Sequence, residues 1–374
     1  APGGRSEQHQ IYLDQALIFA QQAAEQSDLA LQRNAWEQTL YWLDQADAFG
    51  VSDPSRAMRV QVQGALDALD GISRLVLQPV LPGSLGSEVD VSQIIATATD
   101  VFLLEHNSGR VLRLFQTSHG YELDQKFECG PGPSGAILIN PFVGMARAPA
   151  NNEDQASIVA VDPNGNLAKC KPGEYPTTKT LPLPDVGWGK IVSIKLDQGI
   201  LYVLDQKNNR VWMYASNNLR FGEAPRQYFD VDVPKLTNLV DLAVSREDMF
   251  LLHDDGTMTR CTFRSFAAPE TKCTAPAIYG DTRLGRNPEV TSFPDARFVK
   301  LIATQPPDPS LYVLDTQELS IYHFSLRLNL VRQIMIESGR GIHLPATAPT
   351  AFAVTPGQMV FIAFGNQLYA ASLP

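Results

Sequence analysis

A hairpin pattern that recurs six times, a change of hydrophobic period near residue 73 and a length ample for a repetitive core together predict a mainly β fold. The expected architecture is a six-bladed β-propeller of four-stranded antiparallel blades, preceded by an N-terminal α-helical hairpin segment. The division falls at residues 1–72 and 73–374.

The helical segment is read first. Tyr12, Ala16, Phe19, Ala20 and Ala23 recur at helical spacing, and Trp36, Leu40 and Leu43 mark a second run that stops near Gly50. A third run opens with Asp53 as the expected N-cap and Pro54 in the first turn. It carries Met58, Val62, Ala65 and Leu69 along one stripe and ends at Gly71. Trp36 lies on an apolar stripe and reads as core. A Trp, several Ala and a Pro give the array a loose likeness to a tetratricopeptide pair.

From residue 73 the apolar period becomes two. Six hairpins follow, at 101–115, 158–168, 201–214, 249–260, 311–322 and 359–369, and they are called repeats 1 to 6 below. Their turns open at Glu105, Asp162, Asp205, His253, Asp315 and Phe364, spaced 43 to 62 residues apart. That interval matches or exceeds one four-stranded blade. Further short β-rich runs precede the hairpins, such as 191–196, 239–244 and 298–303, and others follow them, such as 179–183, 227–231 and 332–336. The last repeat lacks a fourth strand before the chain reaches Pro374. The run Leu75–Leu81 is expected to supply it, closing the ring against the C-terminal blade. Its proline, Pro79, suits an outermost edge.

Repeat 3, Leu201-Tyr-Val-Leu-Asp-Gln-Lys-Asn-Asn-Arg-Val-Trp-Met-Tyr214, resembles an NHL-type propeller repeat, in which a strand ending in Asp leads through Asn-Asn-Arg-Val into the next strand. Repeat 1 keeps Asn107 and Gly109-Arg110-Val111, and repeat 5 keeps Tyr312-Val-Leu-Asp315. The resemblance implies a propeller that binds a ligand or partner, similar to the extracytoplasmic sensor domains of bacterial membrane signalling proteins. The implied place is a cell surface or periplasm, with tethering through a transmembrane helix ahead of this chain. The opening Ala1-Pro2-Gly3-Gly4 reads as an added scar or a cut end.

Composition narrows the function further. The chain has 374 residues, 44% hydrophobic and 19% charged, and a formal net charge of −10. A broad basic surface for nucleic acid is excluded on that balance. No apolar run reaches the 18 or so residues that would cross a membrane. Four cysteines stand at wide spacing, without a C-x-x-C pair. Cys261 and Cys273 fall on two strands of one hairpin and are expected to pair; Cys129 and Cys170 form the other candidate bridge.

Candidate binding residues lie on loops at one mouth of the ring, where a rigid scaffold holds variable segments. They are Trp188, Lys190, Asn238, Asp241, Arg283, Arg286, Arg297, Arg340 and His343. Several cations and an aromatic near one mouth of an acidic protein suit an anionic group. Some of these cations are equally able to pair with Asp281, Glu289 and Asp295. No catalytic residue is expected: the six histidines lack metal-ligand spacing, and no G-x-S-x-G elbow, Walker loop or dinucleotide fingerprint occurs. No cofactor or metal is expected either, and His253-Asp-Asp-Gly256 and Asp162-Pro-Asn-Gly-Asn166 read as hairpin turns. The leading function is therefore a non-enzymatic binding module for a small ligand or a protein. The alternatives are a metal-dependent lactonase-like hydrolase, to which Asn238 and Asp241 offer one contribution, and an envelope scaffold for protein contacts.

Overall fold

The computed structural model describes residues 2–229, 231–263 and 271–374. Asp230, within the strand expected over 227–231, and the Ala-Pro-rich stretch 264–270 between Cys261 and Cys273 lie outside the described residues.

Three helices come first: α1, Pro2–Glu25; α2, Leu29–Asp47; and α3, Asp53–Asp70. Asp28 caps α2 by accepting the N–H groups of Ala30 and Leu31. The cap of α3 is Ser52, one residue ahead of the Asp53 expected from the sequence. Ser52 and Ser55 exchange side chain-to-backbone hydrogen bonds, so two orphan donors are satisfied at once. Asp53 instead sits in the first turn, where its charge complements the helix dipole. Gly71 ends α3 in the left-handed conformation, φ 63°. Leu13, Ala16, Trp36, Leu43, Val62 and Leu66 bury one another between the helices.

Beyond Gly71 all regular structure among the described residues is β. Repeats 1 to 4 form separate four-stranded antiparallel sheets, each in chain order. Their first strands are Val91–Ala96, Gly144–Arg147, Ile191–Asp197 and Leu239–Ser245. Repeats 5 and 6 begin with Phe298–Ala303 and Ala351–Val354 and share one eight-stranded sheet. The first strands of successive repeats lie side by side, and that of repeat 6 packs against that of repeat 1.

Each second strand is buried along its length except for the first residue of three of them, and Ile200–Asp205 is buried throughout. Its alternate side chains serve two cores. Leu201 and Val203 pack with Val159 and Val161 of repeat 2. Tyr202 and Leu204 pack with Leu242 and Leu251 of repeat 4. A strand covered on both faces reads as a continuous apolar run rather than an alternating one.

Ring closure differs from the sequence expectation. The strand β1 spans Ile72–Pro79, not 75–81, and it serves two repeats. Ile72–Leu77 pair in parallel with Gln333–Ser338 on the outer strand of repeat 5. Only Gln78 and Pro79 reach repeat 6, opposite Ala370 and Tyr369, and Val80 N–H adds a bond to Leu368 C=O. Leu75 and Leu77 are fully buried between Ile334, Ile336 and Tyr369. The reason is geometric. The α3 terminus is fastened over repeat 5, where Gly71 C=O accepts Gln333 N–H, so the chain must cross that repeat before it reaches the last one. Arg74 bridges Asp67 on α3 and Glu337 on repeat 5, at 2.7 and 2.5 Å.

All four cysteines are bonded, Cys129 to Cys170 and Cys261 to Cys273. Cys261 and Cys273 stand directly opposite in register, with Cα atoms 4.1 Å apart. The Cys129–Cys170 bond ties the connection after repeat 1 to the third strand of repeat 2. No helix is long and apolar enough, among the described residues, to cross a membrane.

Candidate functional site: an axial channel

The residues that open the hairpin turns are the first polar groups to place. Glu105, Asp162, Asp205, His253 and Asp315 are all buried. Asp205 accepts N–H bonds from Gly189 and Lys190, just ahead of its inner strand, and from Asn208 in its own turn. Asp315 does the same with Arg297, Gln317, Glu318 and the Ser320 hydroxyl. Glu105 takes Asp90, Asn107 and Ser108. Burial alone would raise the Glu105 carboxyl, but the bonds from Ser108, Asn107 and Asp90 outweigh it and hold it below the usual carboxylate range. In repeat 4 the role passes to His253, whose ring nitrogens meet Asn238 and Thr259. Burial lowers its basicity, against the pull of Asp255 and Asp254. The repeat's characteristic acid is thus a clasp between a turn and the neighbouring inner strand, with its lone pairs already committed.

Where the innermost strands converge there is an axial cavity of about 950 Å³. A bulge follows the first residue of four of these strands: Val91, Ile191, Leu239 and Phe298. An extra residue in one strand re-aims the side chains after it. Gln93, Ser193, Asp241 and Lys300 come next, in equivalent register, and all line the cavity. The corresponding positions of repeats 2 and 6 are small, Gly144 and Ala351. The Gly144 position has no room for more, because a Cβ there would lie 3.1 Å from Ile194 N.

Most of this polar ring sews adjacent strands together. Gln93 exchanges two hydrogen bonds with the Met145 backbone, at 2.8 and 3.0 Å. Asp241 accepts Leu301 N–H at 2.8 Å and faces Lys195 at 3.7 Å. At the far end Asp197 accepts Arg246 N–H and the Gln305 amide. Lys300 reaches past Ala351 to donate to Ser92 C=O at 3.1 Å.

Of the nine residues expected at the mouth, Lys190 and Asp241 line the channel. Asn238 orients His253 instead. Trp188 packs in the core between repeats 2 and 3; its indole lies 2.6 Å from where a Cβ at Gly165 (φ 81°) would stand, so only glycine fits that turn. Arg283 is bidentate to Asp281 and bonds Gln333, beside the α3 terminus. Burial works to raise the Asp281 carboxyl, but Arg283 holds it below its ordinary range. Arg286 meets Asp295 at 3.9 Å. The Arg297 backbone joins the Asp315 clasp, and Arg340 and His343 are exposed away from the cavity. Gln93, Ser193, Lys195 and Lys300 were missed. The signal available for Gln93, Ser193 and Lys300 was the third residue of each inner strand, a polar residue inside an apolar run, with Lys195 two residues further on. Among the described residues no group of three or more His, Cys, Asp or Glu stands together as a metal site.

Solved structures of similar shape include a gluconolactonase from Xanthomonas campestris, with TM-score 0.50, 12% identity, and 82% and 93% of the two chains covered. The chain is a β-propeller. Virginiamycin B lyase from Staphylococcus aureus follows at TM-score 0.49 and 11% identity, with 80% and 100% coverage. The propeller domain of Doa1, of the WD40 type, stands at 0.47 and 11%, with 80% and 97% coverage. No protein-family model and no curated protein matches the sequence. At these identities the likeness concerns the fold alone.

Proposed function

We propose that the chain is a non-enzymatic, extracytoplasmic binding module of the sensor type, the soluble part of a membrane-anchored signalling protein, and that it takes a small ligand in the axial channel. The observation that carries this reading is the cavity of about 950 Å³, within the size range of small-molecule sites and lined by both apolar side chains and convergent polar groups. Two disulfides support an oxidising compartment, since such bonds persist outside the cytoplasm. The clasp carboxylates support binding over chemistry, because their lone pairs are spent on backbone N–H groups.

A thermal-shift screen of small molecules tests it, run on the wild type and on Ser193→Phe, which places a ring in the channel. The expected result is a compound that raises the melting temperature of the wild type only and is recovered unchanged. Compounds acting equally on both proteins, or no stabilising compound at all, overturn the channel reading and leave the envelope scaffold. A compound recovered converted establishes the hydrolase-like alternative.

A further inference from the structure

We propose that Lys300 is the anchor for an oxyanion on a small molecule with an apolar body, bound in the axial channel; this rests on the channel reading above. Four cations line the cavity, Arg147, Lys190, Lys195 and Lys300, against three carboxylates, Asp197, Asp241 and Asp308. Two of those carboxylates are committed, Asp241 to Lys195 and Leu301 N–H, and Asp197 to Arg246 N–H and Gln305. In a chain of net charge −10 the channel is therefore a local reversal of sign, which draws anions to it.

Lys300 stands apart from the other three: Arg147 and Lys190 are exposed, and Lys195 is paired. Lys195 has a carboxylate partner, while Lys300 makes no ion pair within 4.0 Å among the described residues and gives one N–H to Ser92 C=O. An ammonium has three donors, so two remain for a ligand. The side chain is half-buried and reaches from repeat 5 to Ser92 of repeat 1, and the intervening inner strand of repeat 6 contributes the small residues Ala351 and Ala353 to the lining. Extending a cation over small neighbours, away from any carboxylate, forgoes an ion pair that an acidic protein has in plenty; an incoming oxyanion supplies it. The cavity lining also carries apolar side chains, among them Ile95, Val192, Val240, Ala243 and Ile302. That combination selects an organic carboxylate, sulfate or phosphate with a hydrophobic body over a bare inorganic ion.

The test uses the intact, disulfide-bonded protein and two probes of equal shape, benzoate and the neutral benzamide, titrated by calorimetry and thermal shift. Benzoate is expected to bind saturably and more tightly than benzamide. Lys300→Gln and Lys300→Met are each expected to weaken benzoate roughly ten- to a hundredfold while leaving benzamide unchanged, as loss of one charge-assisted contact requires. Lys300→Arg restores most of the preference, and Lys207→Gln, on an exposed turn, changes nothing. Equal affinity for the two probes, or unaltered benzoate binding in both Lys300 variants, overturns the anchor. If Ser193→Phe still abolishes binding of both probes in that event, the channel reading survives without the anchor. If Ser193→Phe has no effect either, both fall together.

Discussion

Repeat 3 and the seam between repeats 5 and 6 are built in opposite ways. The four strands of repeat 3 follow one another along residues 191–227, and their clasp, Asp205, finds every partner within 16 residues. The seam joins strands from opposite ends of the chain: Ile72 lies beside Gln333, and Gln78 beside Ala370. In the first case turn chemistry selects the pairing. In the second, closing a loop of about three hundred residues costs entropy that local bonds cannot recover, so buried apolar side chains must carry it. The seam also fastens the helices, through Gly71, Arg74 and Arg283, to repeat 5 rather than to the last repeat.

The contrast is broken most forcefully by Leu75→Ala. Leu75 is fully buried in the seam, so the substitution is expected to cost about 2–5 kcal/mol. Chemical denaturation followed by hydrogen exchange is expected to show the loss first in Ile72–Pro79 and its two neighbours. Uniform loss across all repeats would mean that the seam is no weaker a unit than the rest.

Asp205→Ala is next. It strips two part-buried N–H groups of a buried charged acceptor, an expected cost of about 2–3 kcal/mol. Exchange is expected to rise at Gly189 and Lys190 and to leave β1 protected. Opening at β1 in this variant would erase the distinction between local and long-range construction.

The smallest effect concerns pH. His323, beside the seam, stacks on Tyr312 with ring centres 4.4 Å apart and takes a hydrogen bond from Arg332. Burial, helped by Arg332, pushes its pKa down to about 4. The unfolded chain binds that proton near pH 6.5 and the folded chain only near 4, so this contribution to stability is whole above about 6.5 and lost as pH falls to 4. In His323→Phe the decline of melting temperature between those values is expected to flatten. An unchanged slope would place the acid sensitivity elsewhere.

The six hairpins, the helices and the Cys261–Cys273 bridge were legible because each depends on neighbours in the chain or on one hairpin's register; the Cys129–Cys170 bridge, which spans 41 residues between two repeats, was only a candidate. The clasp was legible as a repeated acid at the turn, but its acceptor role was not, since one or two of its donors come from the segment ahead of the inner strand. Arg283 shows the limit most clearly. Read as a loop cation it suggested a ligand contact, whereas Asp281 and the end of α3 absorb it.

By itself the sequence determined the period, the turns, the helices to within a residue at the α3 cap and the Cys261–Cys273 pair, because these follow from backbone preferences and short-range pairing. Tertiary structure alone decided that β1 belongs to two repeats, and that Gln93, Ser193, Asp241 and Lys300 meet around one axis. Residues about fifty or a hundred positions apart become neighbours only when the sheets pack in a circle, and a bulge of one residue settles which side chain then faces the channel.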